Sequence, residues 1–191
     1  FKWNWISLNF KAFMQKFRSF LLSVCAVGLL QAQTKSKGPV ITDFGEVYQV
    51  QNPSFKTKSN GEFKVVFDVV YSPEGQGLFN RSIETAARFL NMHAQNGFAP
   101  EALQVALVVH GGATQDLLSN AYFEQNFSTS NENITLLEAL MEAGVEIVVC
   151  GQSLAARGYN TEQLVPGVKI ALSAMTALIQ LQETDYQLIK F

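Results

Sequence analysis

The sequence predicts an α/β domain in which a mainly parallel, five-stranded sheet carries helices on both faces. Three observations predict it. Apolar, β-branched runs alternate with helix-spaced runs from Phe63 to the end of the chain. The runs LQVALVV and VEIVVC are apolar almost throughout, as strands buried on both faces must be. Glycine stands directly after two of these strands, at Gly111 and Gly151, where a strand-to-helix turn is needed.

The elements follow in order. Phe63–Tyr71 (FKVVFDVVY) is β-branched and aromatic, the composition of a strand, and Ser72–Gly77 (SPEGQG) is a turn. Asn80–Asn96 places Ile83, Ala86, Ala87 and Leu90 on one side and stops at Gly97, which predicts an amphipathic helix. Leu103–His110 is the second strand, ending in Gly111-Gly112. Ala113–Phe127 is polar and helix-compatible, and Ile134–Ala143 is a helix stopped by Gly144. Val145–Cys150 is the third strand, Gln152–Arg157 a short helix, and Val168–Ile170 the fourth strand. Ser173–Leu181 is a helix and Tyr186–Ile189 a terminal strand. Five strands with helical crossovers in this length suit a flavodoxin-like, doubly wound sheet.

The segments outside residues 63–191 read differently. Residues 1–32 contain Lys2, Lys11, Lys16 and Arg18 and no acid. From Met14 the chain reads MQKFRSF, then the ten-residue apolar LLSVCAVGLL, then QAQ, which is the layout of a secretory leader. That apolar run is shorter than the roughly 18 residues of a spanning helix. The expectation is a leader over 1–32, of which 1–13 is an upstream extension, and a periplasmic or secreted product. A lipid-modified Cys25 and a retained amphipathic helix are the other readings. Residues 33–62 are polar and rich in turn formers, an arm or short hairpin before the 63–191 domain.

Composition excludes several functions. With 48% hydrophobic and 16% charged residues the chain folds rather than staying disordered. A net charge of −2 gives no electrostatic case for nucleic acid, and no Cys/His cluster has zinc spacing. SPEGQG lacks the lysine of a phosphate loop, so no nucleotide cofactor is expected. Once residues 1–32 are removed, 10 bases and 16 acids remain, and Cys150 is the one cysteine.

In open α/β sheets chemistry gathers beyond the carboxyl ends of the strands. His110 and Gly111 lie there after the second strand; Cys150, Gly151, Gln152 and Ser153 lie there after the third. Cys150 precedes a helix start, where free N–H groups favour a thiolate. It is equally well read as a small apolar residue completing a strand. His110 either holds a substrate or proton near that thiol or hydrogen-bonds a loop backbone, and no acid neighbours it along the chain. His93, in mid-helix, reads as a surface or packing residue. Asp68 lies within the first strand, where a carboxylate needs a partner, and a structural hydrogen bond is the expected role.

The segments VALVVHGG, EAGVEIVVCGQSL and LVPGVKIALSAMTAL together resemble the DsrE/DsrF-like family of small sulfur-relay proteins, in particular its exported branch. The resemblance implies trimers or hexamers and a strand-end cysteine, here Cys150, that carries a persulfide between a donor and an acceptor. The donor or acceptor is a protein or a small sulfane sulfur compound. His110 and Gly111 match the family's strand-end motif without a step assigned to them; together with Gly151, Gln152 and Ser153, placed by their strand-end position, they are the expected substrate-binding residues. The arm at 33–62 and the exported character depart from the compact cytoplasmic members. The competing expectation is a binding or assembly module of the same fold in which Cys150 only packs. A third is an enzyme that uses His110 with an acid from a neighbouring subunit.

Overall fold

The computed structural model describes residues 34–57, 61–75 and 78–190; the expected leader therefore lies outside the described residues. Two short strands, β1 (Lys35–Ser36) and β2 (Val47–Tyr48), pair antiparallel. The main sheet comprises β3 (Phe63–Val69), β4 (Leu103–Val109), β5 (Glu146–Cys150), β6 (Lys169–Ala171) and β7 (Gln187–Ile189). Its order is β6-β5-β4-β3-β7, and every neighbouring pair is parallel. Counted within the sheet, the strands run 4-3-2-1-5, whereas flavodoxin runs 2-1-3-4-5. The chain advances toward one edge for four strands before it crosses back. Hydrophobic patterning identifies strands, but it does not say beside which edge the next strand docks.

That winding distributes the helices unevenly. Right-handed crossovers put the connections of strands that advance in one direction on one face. The helices α1 (Arg81–Gln95), α2 (Asn120–Phe127), α3 (Ile134–Glu142) and α4 (Gly151–Arg157) come from those connections. Their buried residues, among them Ile83, Leu90, Phe123, Leu137, Leu140 and Leu154, share one large core with Phe67, Val69, Leu107, Val109 and Val149. The return from β6 to β7 places α5 (Ala174–Glu183) on the opposite face. There Ala174 and Ala177 pack on a small cluster of Val66, Ala106, Val108, Val148 and Cys150. Alternation along the strands makes the division.

Local chemistry sets the element ends. Asn80 caps α1, its Oδ1 accepting from the N–H groups of Ser82 and Ile83, a contact worth about 1 kcal/mol. The helix-compatible stretch from 113 to 127 forms a 3-10 segment, Gly111–Leu117, followed by α2. Leu118, fully buried, breaks it by bridging to Leu164, while the Ser119 N–H donates to the Gln163 carbonyl.

The arm lies on α1. Asn91, fully buried, accepts from the Ile41 N–H at 2.8 Å and donates from Nδ2 to the carbonyls of Ile41, Phe44 and Gly45. Gly45 N–H donates to Glu84, and Gln95 donates to the Gly38 carbonyl at 2.6 Å. Glu84, Asn91 and Gln95 thus form a polar stripe along α1 that holds the arm, and Ile41 joins the large core. No described helix is long and apolar enough to cross a membrane.

Candidate functional site

Cys150 ends β5 and is the residue that begins α4, so its side chain stands where two chain directions meet. By alternation it shares a face with Val148, on the side covered by α5. The first residues of a helix have N–H groups without intrahelical partners. Two such helix starts converge here: Gln152 and Ser153 in α4, and Ala174 at the first position of α5, whose Ser173 hydroxyl caps the Thr176 N–H at 3.1 Å. Burial pushes the Cys150 thiol up, but the Ser153 hydroxyl and the N–H groups of Ser153, Ala174 and Gln152 more than offset it. The net effect holds the thiol below its ordinary value of 9.0. Cys150 is a free thiol with 6% of its surface exposed.

The loop after β4 is tied to the same place. The Gly111 N–H donates to Ser153 Oγ at 3.1 Å, and Arg157 Nε donates to the Gly111 carbonyl at 2.8 Å. Gly111 adopts φ +56° with its Cα turned toward the Val70 carbonyl, a conformation that disfavours a side chain. At Gly151 a Cβ would meet the Ala171 carbonyl oxygen at 2.8 Å, so β6 and α4 approach this closely only because the residue is glycine. The Gln152 side chain does not turn to the sulfur; its Nε2 donates to the Leu172 carbonyl at 3.3 Å.

His110 differs from its expected surroundings. Its partner within the chain is not a loop backbone but Asp68, with Nε2 2.7 Å from Oδ1. Lys190 Nζ lies 2.8 Å from the other oxygen, Oδ2. Asp68 is buried, which raises its pKa, yet hydrogen bonds and charge from Lys190 and His110 bring the carboxyl below its ordinary value. Asp68 and His110 are 42 residues apart, so proximity along the chain conceals the pair. The register reveals it: Asp68 is opposite Val108, and His110 continues β4 on the same face. Lys190 was missed because only the fifth strand's position beside β3 brings it there.

A second polar knot lies at the same edge, toward the larger core. Asp116 is 2% exposed and accepts from Asn80 Nδ2 at 2.6 Å and from the Ser72 hydroxyl at 2.7 Å. Burial prevails over these donors and the charge of Arg157, and its pKa is pushed up to about 6. Asn131 extends the network by donating to the Asp116 and Leu118 carbonyls. His93, by contrast, packs among Phe63, Phe89 and Phe98, its Nδ1 2.8 Å from the Phe89 carbonyl. Among the described residues, no group of three or more His, Cys, Asp or Glu is arranged to hold a metal ion.

One solved structure is similar to this chain in fold. The YchN protein of E. coli aligns over 68% of this chain and 99% of its own, with a TM-score of 0.50 and 21% identity, a likeness of fold. MTH1491 of Methanobacterium thermoautotrophicum, described as a protein of unknown function, aligns over 68% of this chain and all of its own, with a TM-score of 0.49 and 18% identity. No curated protein sequence matches the chain. The model of the DsrE/DsrF-like family matches residues 64–191, two thirds of the sequence, and the chain belongs to that family.

Proposed function

We propose that this chain is an exported sulfur-handling protein in which Cys150 carries sulfane sulfur as a persulfide. Family membership implies a protein of the sulfur-relay type. The observation that carries the assignment to Cys150 is the set of donors around its sulfur, which lowers the thiol's pKa in spite of burial. In the first half-reaction the Cys150 thiolate attacks the outer sulfur of a donor persulfide, R–S–SH. The donor's S–S bond breaks, R–S⁻ leaves and takes up a proton, and Cys150–S–SH forms. An acceptor thiolate then attacks the outer sulfur and releases Cys150 as thiolate. The exchange needs no external oxidant. Gly111, Gly151 and the Gln152 N–H border the thiol, and Ser153 supplies a hydroxyl.

Export rests on the layout of residues 1–32, and assembly into trimers or hexamers on the family. Leu172, Met175 and Ile179 expose large apolar surface beside the site, which suits a second copy or a protein partner. The 6% exposure of Cys150 and its place among Val148, Ala174 and Ala177 favour a second reading, in which this edge only binds or assembles. Intact mass after exposure to a small persulfide donor separates the two. A reducible gain of one sulfur, absent in Cys150→Ser, supports the carrier; an unchanged mass in the folded wild-type chain supports the binding module.

A further inference from the structure

The chain Lys190–Asp68–His110 has no part in the fold's apolar packing, yet it stands in the middle of the sheet on the same face as Cys150. A carboxylate buried at this depth costs free energy unless it is paired, and Asp68 spends both oxygens on pairing: Oδ1 on His110 and Oδ2 on Lys190. The consequence for His110 is specific. Because Nε2 serves Asp68, its proton sits on Nε2, and the neutral ring presents Nδ1 as an unprotonated base. Nδ1 has no hydrogen-bond partner among the described residues.

The register then places His110 and Cys150 side by side. Val109 pairs with Val149, so His110 and Cys150 are the next positions on adjoining parallel strands. His110 is still extended, at φ −153° and ψ −174°, and its N–H donates to the Val69 carbonyl as a continuing strand would. The two residues therefore share a face and a row, with backbones about 5 Å apart by the spacing of neighbouring strands. His110 remains partly open, its side chain 26% exposed, so that a proton can be exchanged with a bound molecule or with water.

We propose that His110 is the proton carrier for the chemistry of Cys150, with Asp68 and Lys190 as positioning residues that fix its tautomer and balance its charge. The inference rests on the sulfur-handling reading of Cys150 and adds the group that completes it. His110 Nδ1 takes the proton of the Cys150 thiol through one water, and the imidazolium is held by the Asp68 carboxylate. The thiolate attacks the outer sulfur of R–S–SH, the donor S–S bond breaks, and the imidazolium returns its proton to R–S⁻. The products are R–SH and Cys150–S–SH, with His110 neutral again. The substrate class that fits is a neutral persulfide of a thiol, whose leaving group needs this proton. The charged and titratable groups around His110 are Asp68 on β3, Lys190 after β7 with Tyr71 beside it, Cys150 at the end of β5, and Arg157 of α4 on the Gly111 carbonyl.

The test reads the ring nitrogens of His110 by NMR in the full nitrogen-labelled chain, wild type and Cys150→Ser, from pH 5 to 9, with His93 as internal reference. The expected spectrum shows the Nε2–H tautomer at high pH. The His110 Nδ1 resonance is expected to move when the thiol is removed in Cys150→Ser, while those of His93 stay in place. Sulfur uptake from a small persulfide is then expected to slow about 100-fold in His110→Gln. An Nδ1–H tautomer, read on the wild-type chain alone, overturns the proposal, and so does a His110 Nδ1 resonance unchanged by Cys150→Ser. A moved resonance without any sulfur adduct leaves the proton pair standing and removes the carrier reading. An adduct with an unmoved resonance does the reverse.

Discussion

The two faces of the sheet are built to different standards. One face lies under α1, α2, α3 and α4, and its core runs from Ile41 of the arm to Val165 with most members almost inaccessible. The other has α5 alone, touching through Ala174, Ala177, Leu178 and Leu181, and leaves Leu172, Met175 and Ile179 exposed. The contrast is sharpest in the two ionisable groups buried at the carboxyl edge. Asp116 belongs to the thick side and is pushed up to about 6, because burial outweighs its two donors. Cys150 belongs to the thin side and is pulled down, because helix starts and Ser153 outweigh burial. The difference teaches where each task resides: the thick face holds the fold together, and the thin face packs its thiol in a small apolar cluster beside two helix starts.

The largest expected effect comes from cutting the thick face. Leu107→Ala, at a fully buried position of β4, is expected to cost about 3 kcal/mol in urea unfolding. Cys150→Ala on the thin face is expected to cost about 1 kcal/mol, since it removes one small group from a small cluster. Equal costs would erase the distinction between the faces.

Asp116 yields a pH dependence of similar size. Its folded-state pKa is raised from 3.8 to about 6, so the folded chain holds the proton more tightly. The associated stability is full below pH 3.8 and is lost as pH rises through about 6, a change of about 3 kcal/mol at 1.36 kcal/mol per pH unit. Unfolding of wild type and Asp116→Asn, compared from pH 4 to 7, is expected to show the wild-type advantage shrinking by up to that amount. A constant difference would remove Asp116 as a titrating group.

Asn91→Ala is expected to cost about 2 kcal/mol, because it leaves the Ile41 N–H and three arm carbonyls without their side-chain partner. Limited proteolysis within 34–57 is the direct readout, and unchanged cleavage would show the arm is held by its apolar residues alone. The smallest effect is at Ser153. Ser153→Ala is expected to change stability by less than about 1 kcal/mol while raising the Cys150 pKa, so that alkylation at pH 7 slows several-fold.

The strands and helices were legible because their residues alternate or repeat locally: LQVALVV can only be a strand buried on both faces, and Gly97 and Gly144 stop their helices. The strand-end position of Cys150 was legible for the same reason. The strand order and the thinness of one face were not, since they depend on which edge each crossover chooses. The partnership of Asp68 with His110 had a trace in the sequence, since each is an even step from the apolar residues of its strand's second face. Joining them required the β3–β4 register. Lys190 and Ala174 left no such trace; a lysine after a terminal strand and an alanine opening a helix carry no chemistry until the fold sets them beside Asp68 and Cys150.

The most direct test of a thiol activated on the thin face is the rate of Cys150 alkylation by a small neutral probe in the native chain, measured from pH 5 to 10. The account predicts labelling of the folded protein, with a midpoint below the 9.0 of an ordinary thiol and a shift back toward it in Ser153→Ala. A thiol that reacts only after unfolding, or that titrates at or above 9.0 in the native chain, would contradict it.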